Sequence, residues 1–191
     1  MLTKYKVIVL FLFLQTSVFS QDLEKVYFAG GCFWCMEESF EKKEGVLEVI
    51  SGYSGGTTEN PTYEEVTYED TGHFETIEIL FDKNKTNYQD LLDHFWKNID
   101  PFDEYGQFCD KGYSYRSVAF YENNEQKNLI EVSIMKLEKK FNKKIVTYVR
   151  KFDKFYKAED NHQNYYEVKF LNYLRYKKAC GREKKLNKIW N

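Results

Sequence analysis

Two periodicities alternate along the chain. A short apolar run at residues 26–29 reads as a buried strand over 25–29, and after it Phe33, Met36 and Phe40 fall at helical spacing. The chain therefore turns from strand to helix at Gly30-Gly31, with a helix over 32–42 closed by Glu44-Gly45. Residues 46–53 alternate and are β-branched enough for a second strand, while 54–61 (Ser-Gly-Gly-Thr-Thr-Glu-Asn-Pro) form a loop by composition. One helical turn follows at 63–68, a turn at 71–73, and a strand at 75–81 with Ile77, Ile79 and Phe81 on one face. Asn87 is placed as an N-cap ahead of an amphipathic helix carrying Tyr88, Leu91, Leu92, Phe95, Trp96 and Ile99. Residues 100–115 form a long, aromatic-rich loop, the kind that in a compact domain usually carries function. A strand at 116–121 precedes the longest helix, 124–141, with Leu129, Val132, Ile134, Met135 and Leu137 expected inward. A strand at 145–149, a loop from 152, a helix at 165–176 and a lysine-rich tail complete the chain. Strands alternate with helices and no repeat or linker interrupts them. The expected fold is α+β, a two-layer α/β sandwich with a mixed, ferredoxin-like sheet and long loops.

Composition changes this picture at the N-terminus. Lys4 and Lys6 precede an unbroken apolar run at 7–14, too short to span a bilayer with margin, and small or tolerated residues follow at 18–20. Residues 1–20 read as a signal peptide cut before Gln21, which predicts an exported, periplasmic or extracellular protein whose single catalytic domain is 21–191. No cysteine near the cut offers a lipid attachment point. Loss of the leader takes the formal charge from −2 to −4, against a nucleic-acid partner. The late basic residues alternate with apolar ones and read as a solvated helix face. The 16 Tyr and 16 Phe crowd the loops as well as the elements, as in a surface that binds an apolar group. Four cysteines in an exported chain usually mean two disulfides. Here Cys32 and Cys35 stand three apart, whereas Cys109 and Cys180 are isolated.

The helix start gives Cys32 its chemistry. Unpaired N–H groups and the helix dipole favour a thiolate there, and a thiolate is the nucleophilic form. The glycines before it and the aromatics Phe33 and Trp34 after it suggest an exposed position between walls. Other readings use the same residues. A buried structural cysteine is the commoner fate of a lone thiol. Strand, CxxC and helix also mark a thioredoxin-like thiol-disulfide oxidoreductase, although Pro61 and Pro101 both lie in loops rather than opposite the CxxC. A non-catalytic, aromatic-lined binding domain would need no free thiol. For zinc there is no second paired ligand set, and Phe33-Trp34 fills the CxxC, so no metal site is expected.

Three further stretches combine turn residues with polar groups at element edges: Asn60-Pro61-Thr62-Tyr63, Gly72-His73-Phe74-Glu75, and Asp110 to Ser117. With Gly31-Cys32-Phe33-Trp34 and with Ala158-Glu159-Asp160 followed by His162-Gln163, the chain resembles the peptide methionine sulfoxide reductase A family over 25–166. The resemblance implies reduction of methionine-S-sulfoxide, free or in proteins, without a bound cofactor. Reducing a sulfoxide needs a soft nucleophile on sulfur and a proton on oxygen. The resemblance gives the first role to Cys32 and the second, general acid, to Glu75. Tyr63 and Tyr115 would hydrogen-bond the sulfoxide oxygen, Asp110 would order the site, and Phe33 and Trp34 would wall the S-methyl group. Cys32 would be left as a sulfenic acid, to be resolved by a second thiol. Position 35 departs from the family's better-known Gly-Cys-Phe-Trp-Gly and carries a cysteine. Cys35 or the tail-borne Cys180 is expected to close first, with Cys109 as relay or structural partner. Thioredoxin, or an exported thioredoxin-like protein, would restore the dithiol of a monomeric enzyme.

Overall fold

A computed structural model of the chain describes residues 22–191, so the expected leader lies outside the described residues. The elements run β1 (Leu23–Gly30), α1 (Phe33–Glu41), β2 (Val46–Ser54), α2 (Tyr63–Tyr68), β3 (Phe74–Asp82) and α3 (Tyr88–Lys97). The long loop holds a small antiparallel hairpin, β4 (Gly106–Gln107) and β5 (Asp110–Lys111), then a 3-10 turn at Tyr113–Tyr115. After it come β6 (Ser117–Tyr121), α4 (Asn124–Phe141), β7 (Tyr148–Lys151), β8 (Phe155–Lys157), a second 3-10 turn (Asp160–His162), α5 (Tyr165–Val168), α6 (Phe170–Cys180) and α7 (Arg182–Trp190).

One six-stranded sheet organises the molecule, in the order β7-β6-β1-β3-β2-β8. Only β6 and β7 pair in parallel; the other neighbours are antiparallel, so the sheet is mixed. Side-chain alternation divides its two faces. Val26 and Phe28 of β1 point into the main core, with Met36 and Phe40 of α1 and Leu91, Leu92 and Phe95 of α3. Tyr27 and Ala29 point the other way, to Phe74, Val118 and Phe120, and Phe152 stacks on the Tyr27 ring at 3.6 Å. Asn87 caps α3 by accepting from the Asp90 N–H at 2.9 Å.

Four details differ from the sequence reading. On α4 the expected Leu129, Val132, Ile134 and Leu137 are half-buried, three of them (Leu129, Ile134 and Leu137) against the main core, while the fully buried stripe is Gln126, Ile130 and Ser133. Met135 falls off that 3.6-residue track and is 61 % exposed. The strand expected at 145–149 forms at Tyr148–Lys151, where it reaches β6. β8 was expected as loop, being only 3 residues long. It forms because Gly52 on β2 has no Cβ to collide with Phe155 and Tyr156. The lysine-rich tail beyond the helix expected at 165–176 is helical too: α6 runs on to Cys180, Gly181 (φ 67) ends it, and α7 then carries the chain back over the Cys32 turn.

Candidate active site

The turn into α1 sets the site. Gly31 has φ +79, and a Cβ there would come within 2.5 Å of Gln107 Cβ, so no other residue fits without displacing the long loop. Cys32 is the residue immediately before the helix, and its carbonyl accepts from the N–H groups of Cys35 (3.1 Å) and Met36 (3.3 Å).

Two expectations for Cys32 need correction. It is 5 % exposed rather than open to solvent, because tyrosines of the tail cover it. Its thiol is pushed well above its usual value rather than lowered: burial is the largest cause, followed by the hydrogen bond and the negative charge at Cys35 and the charge at Glu75. Cys35 moves the other way, to about 7, first through the hydrogen bond from Cys32. The two free thiols share a hydrogen bond and titrate as a pair, with Cys35 the more acidic member.

Glu75, near the start of β3, is 2 % exposed and accepts from the Phe33 N–H at 2.9 Å. Burial raises its carboxyl to about 8; the Phe33 hydrogen bond opposes the rise, and the charges at Asp110 and Cys35 add to it. That rise favours the protonated acid at neutral pH, in a cavity lined by rings and hydroxyls.

The hydroxyls are fixed by the loops. Thr62 and Glu65 form a capping box at α2, which fixes Tyr63 at the first helical position. Glu159 then ties that position down, accepting from the Tyr63 N–H and the Tyr53 O–H, each at 2.8 Å. Tyr115 comes from the 3-10 turn after the hairpin, and Asp110 from β5. Burial raises Tyr63 and Tyr115, so both remain donors. These groups meet Cys32, Phe33, Trp34 and Glu75 around a cavity of about 90 Å3. A larger cleft of about 770 Å3, beside Trp96 and Trp190, contains none of these groups. Every residue placed at the site from sequence as nucleophile, acid or substrate contact faces the small cavity.

The tail adds residues that sequence reading missed. Tyr176 of α6 lines the cavity, donates to Asp110 at 2.5 Å and hydrogen-bonds the Cys32 thiol. Tyr165 stacks on Trp34 at 3.8 Å, and His162 stacks on Tyr63 at 4.3 Å. The spacing of Tyr173 and Tyr176, three apart on one helix face, was the available signal. A row of α1 carboxylates anchors this cover: Glu37 accepts from the Asn164 N–H (3.0 Å), Glu38 from Tyr173 (2.6 Å) and Lys177 (2.8 Å), and Glu41 from Tyr166. The other histidines hold backbone. His73 accepts from the Gly56 N–H through Nδ1 (3.1 Å) and contacts the Thr58 carbonyl through Nε2 (2.8 Å); His94 Nε2 contacts the Ser39 carbonyl (3.1 Å) and hydroxyl (2.9 Å). Cys109 and Cys180 are joined in a disulfide, Cα–Cα 5.0 Å, with Cys109 exposed.

The sequence profile of the family described as "Peptide methionine sulfoxide reductase" matches residues 24–191. A "Peptide methionine sulfoxide reductase MsrA" of Bacillus velezensis is 46% identical over 173 residues, 90% of this chain and 98% of that protein. Among solved structures, reduced Mxr1 from Saccharomyces cerevisiae superposes with TM-score 0.71 at 26% identity, covering 76% of this chain and 85% of that one. Mxr1 in complex with Trx2 matches at TM-score 0.53 and 21% identity over 78% and 91% of the two chains, a likeness in fold alone.

Proposed function

Because the chain belongs to the peptide methionine sulfoxide reductase family, we propose that it reduces methionine-S-sulfoxide, free or within proteins, to methionine and so repairs oxidised proteins. The observation that carries this reading is the meeting of the Cys32 sulfur and the protonated Glu75 carboxyl at one small, aromatic-walled cavity.

The residues suggest a balanced sequence of steps. Phe33 and Trp34 hold the S-methyl group, while Tyr63 and Tyr115 donate to the sulfoxide oxygen. Cys32 attacks the substrate sulfur as its proton passes to the Cys35 thiolate, and Glu75 protonates the oxygen. Methionine leaves, with Cys32 as sulfenic acid, Cys35 as thiol and Glu75 as carboxylate. Cys35 then attacks the Cys32 sulfur, its proton joins the departing hydroxide, and water is released as the Cys32–Cys35 disulfide forms. An external dithiol takes over the disulfide, returning two thiols, one of whose protons restores Glu75. Cys35 is favoured over Cys180 as the resolving group because it already shares a hydrogen bond with Cys32, whereas Cys180 is bonded to Cys109. That leaves the Cys109–Cys180 pair a structural role, with its exposed Cys109 as the relay point if reductant enters there.

A thioredoxin or an exported thioredoxin-like protein is the dithiol we assign, acting on a monomer. Export to the periplasm or beyond rests on the leader pattern of residues 1–20. The finer fold description, a ferredoxin-like core, is supported by the β-α-β-β-α-β run from β1 to β6 with strand order β6-β1-β3-β2. The activity is tested by incubating reduced protein with one equivalent of methionine-S-sulfoxide and separating methionine by chromatography. Native protein should yield methionine and Cys32→Ser none; retained turnover in Cys32→Ser removes the proposal.

A further inference from the structure

Arg182 opens α7 and is 4 % exposed. Its guanidinium donates to the Gly30 carbonyl (3.3 and 3.4 Å), the Asn98 carbonyl (2.5 Å) and Met36 Sδ (3.1 Å), and lies over the Phe108 ring at 4.6 Å. Gly30 closes β1 two residues before Cys32, and Met36 follows Cys35, so the cation sits directly behind the CxxC. Arginine does not lose its charge in a protein, and a buried charge without a counter-ion costs several kcal/mol. Among the described residues no carboxylate lies within 4.0 Å of this guanidinium, whereas nearby Lys177 is paired with Glu38 and Glu183. Carbonyl dipoles and one ring satisfy its donors, and Asp110 feels its charge at longer range, but no described carboxylate pairs with it directly. A group that could become anionic stands beside it: Cys35 and Arg182 line one cleft of about 340 Å3 with Glu38, His94, Asn98 and Tyr173.

We infer that Arg182 is a positioning residue whose charge is the counter-ion of the Cys35 thiolate, so that the tail completes an ion pair with the dithiol. This rests on the reading of Cys32 and Cys35 as the reacting pair. The groups facing Cys35 are Cys32 on its own helix, Tyr173 and Tyr176 of α6, Asp110 of β5, Glu75 of β3 and Arg182 of α7. Glu38, Lys42, His94, Lys177 and Glu183 line the same cleft. Of these, Cys32 hydrogen bonding lowers Cys35 most, and Arg182 and Tyr173 add to it, while burial and the Asp110 carboxylate oppose. A second consequence follows. The Cys32–Cys35 disulfide carries no charge, so forming it strands the guanidinium. Arg182 thus favours the reduced pair and makes the disulfide easier for an external dithiol to open.

The test compares Arg182→Gln and Arg182→Lys with the native protein. Thiolate absorbance at 240 nm is followed from pH 5 to 9, with the Cys35→Ser protein subtracted. The midpoint in Arg182→Gln should rise by about one pH unit, a tenfold weaker acid. Equilibration against a thioredoxin couple at about pH 9, above both midpoints, should show close to the same tenfold change, about 30 mV toward a more reducing Cys32–Cys35 potential. Arg182→Lys, which keeps the charge and loses the planar fork, should titrate close to native. A native-like midpoint in folded Arg182→Gln, or a Lys variant shifted toward free cysteine, overturns the inference. If the Gln variant does not fold, the Lys variant decides alone. The titration contains no sulfoxide, so a native protein that makes no methionine while these midpoints move would sink the proposed activity and leave the ion pair standing.

Discussion

Replacing Glu75 by glutamine separates what this carboxyl does for chemistry from what it costs the fold. Its carboxyl is raised from an ordinary 4.5 to about 8 by burial. A group raised in the folded state contributes stability that is complete below its unfolded value and is lost as pH climbs through its folded value. At 1.36 kcal/mol per pH unit, keeping at pH 7 a proton that the unfolded chain would release costs about 3 kcal/mol. Glutamine has no proton to lose, and its carbonyl can still accept from the Phe33 N–H, which now bonds Glu75 at 2.9 Å. Glu75→Gln should come close to the native protein at pH 4.5 and exceed it by about 4 kcal/mol near pH 7.5, a rise in Tm of roughly 8–16 °C. The same change removes the proton donor, so single-turnover methionine formation should slow by about 10²–10⁴. Urea melts at the two pH values and rapid-quench analysis of methionine are the assays. A variant less stable than native at pH 7.5, or one within tenfold of native rate, would refute the assignment of Glu75 as a buried neutral acid.

Cys35→Ser should still yield one methionine per chain under substrate excess, though more slowly for lack of the thiolate that takes the Cys32 proton, and should accumulate a Cys32 sulfenic acid that dimedone traps; a native-like disulfide yield would point to another resolving thiol. With Cys109 and Cys180 both changed to serine, a covalent link spanning 71 residues is lost, and chain entropy predicts a stability decrease of about 4 kcal/mol, read from urea melts. That double variant should form the Cys32–Cys35 bond in a first turnover, and peptide mapping of the oxidised protein checks it.

The strand-turn-helix around Cys32 was legible because two glycines and a clean change of period leave few alternatives. Glu75, Tyr63, Asp110 and Tyr115 were legible only through motif resemblance, since an acid at a strand start or a tyrosine in a loop is by itself unremarked. The tail was not. Tyr165, Tyr176 and Arg182 reach α1 across more than 130 residues of sequence, and their helices look like ordinary basic surface helices until packed. Only 1 % of Tyr173 is exposed, while Leu171 on the same helix is 67 % exposed, an inversion of the usual hydropathy order. The ionisation of Cys32 was misread for a related reason. The helix start argues for a thiolate, but the proton balance is set by Cys35 and by the cover of tyrosines, which no local rule supplies.

The α1 carboxylate row clasping α5 and α6 has a consequence for how the protein comes into being. A ribosome releases the sheet, the CxxC and the acid long before it releases residues 165–182, so the nascent chain carries an unroofed, half-built pocket. A protease that removes residues 165–191 would lift the tyrosines off Cys32 and Trp34 while every strand of the sheet stays in the remaining chain.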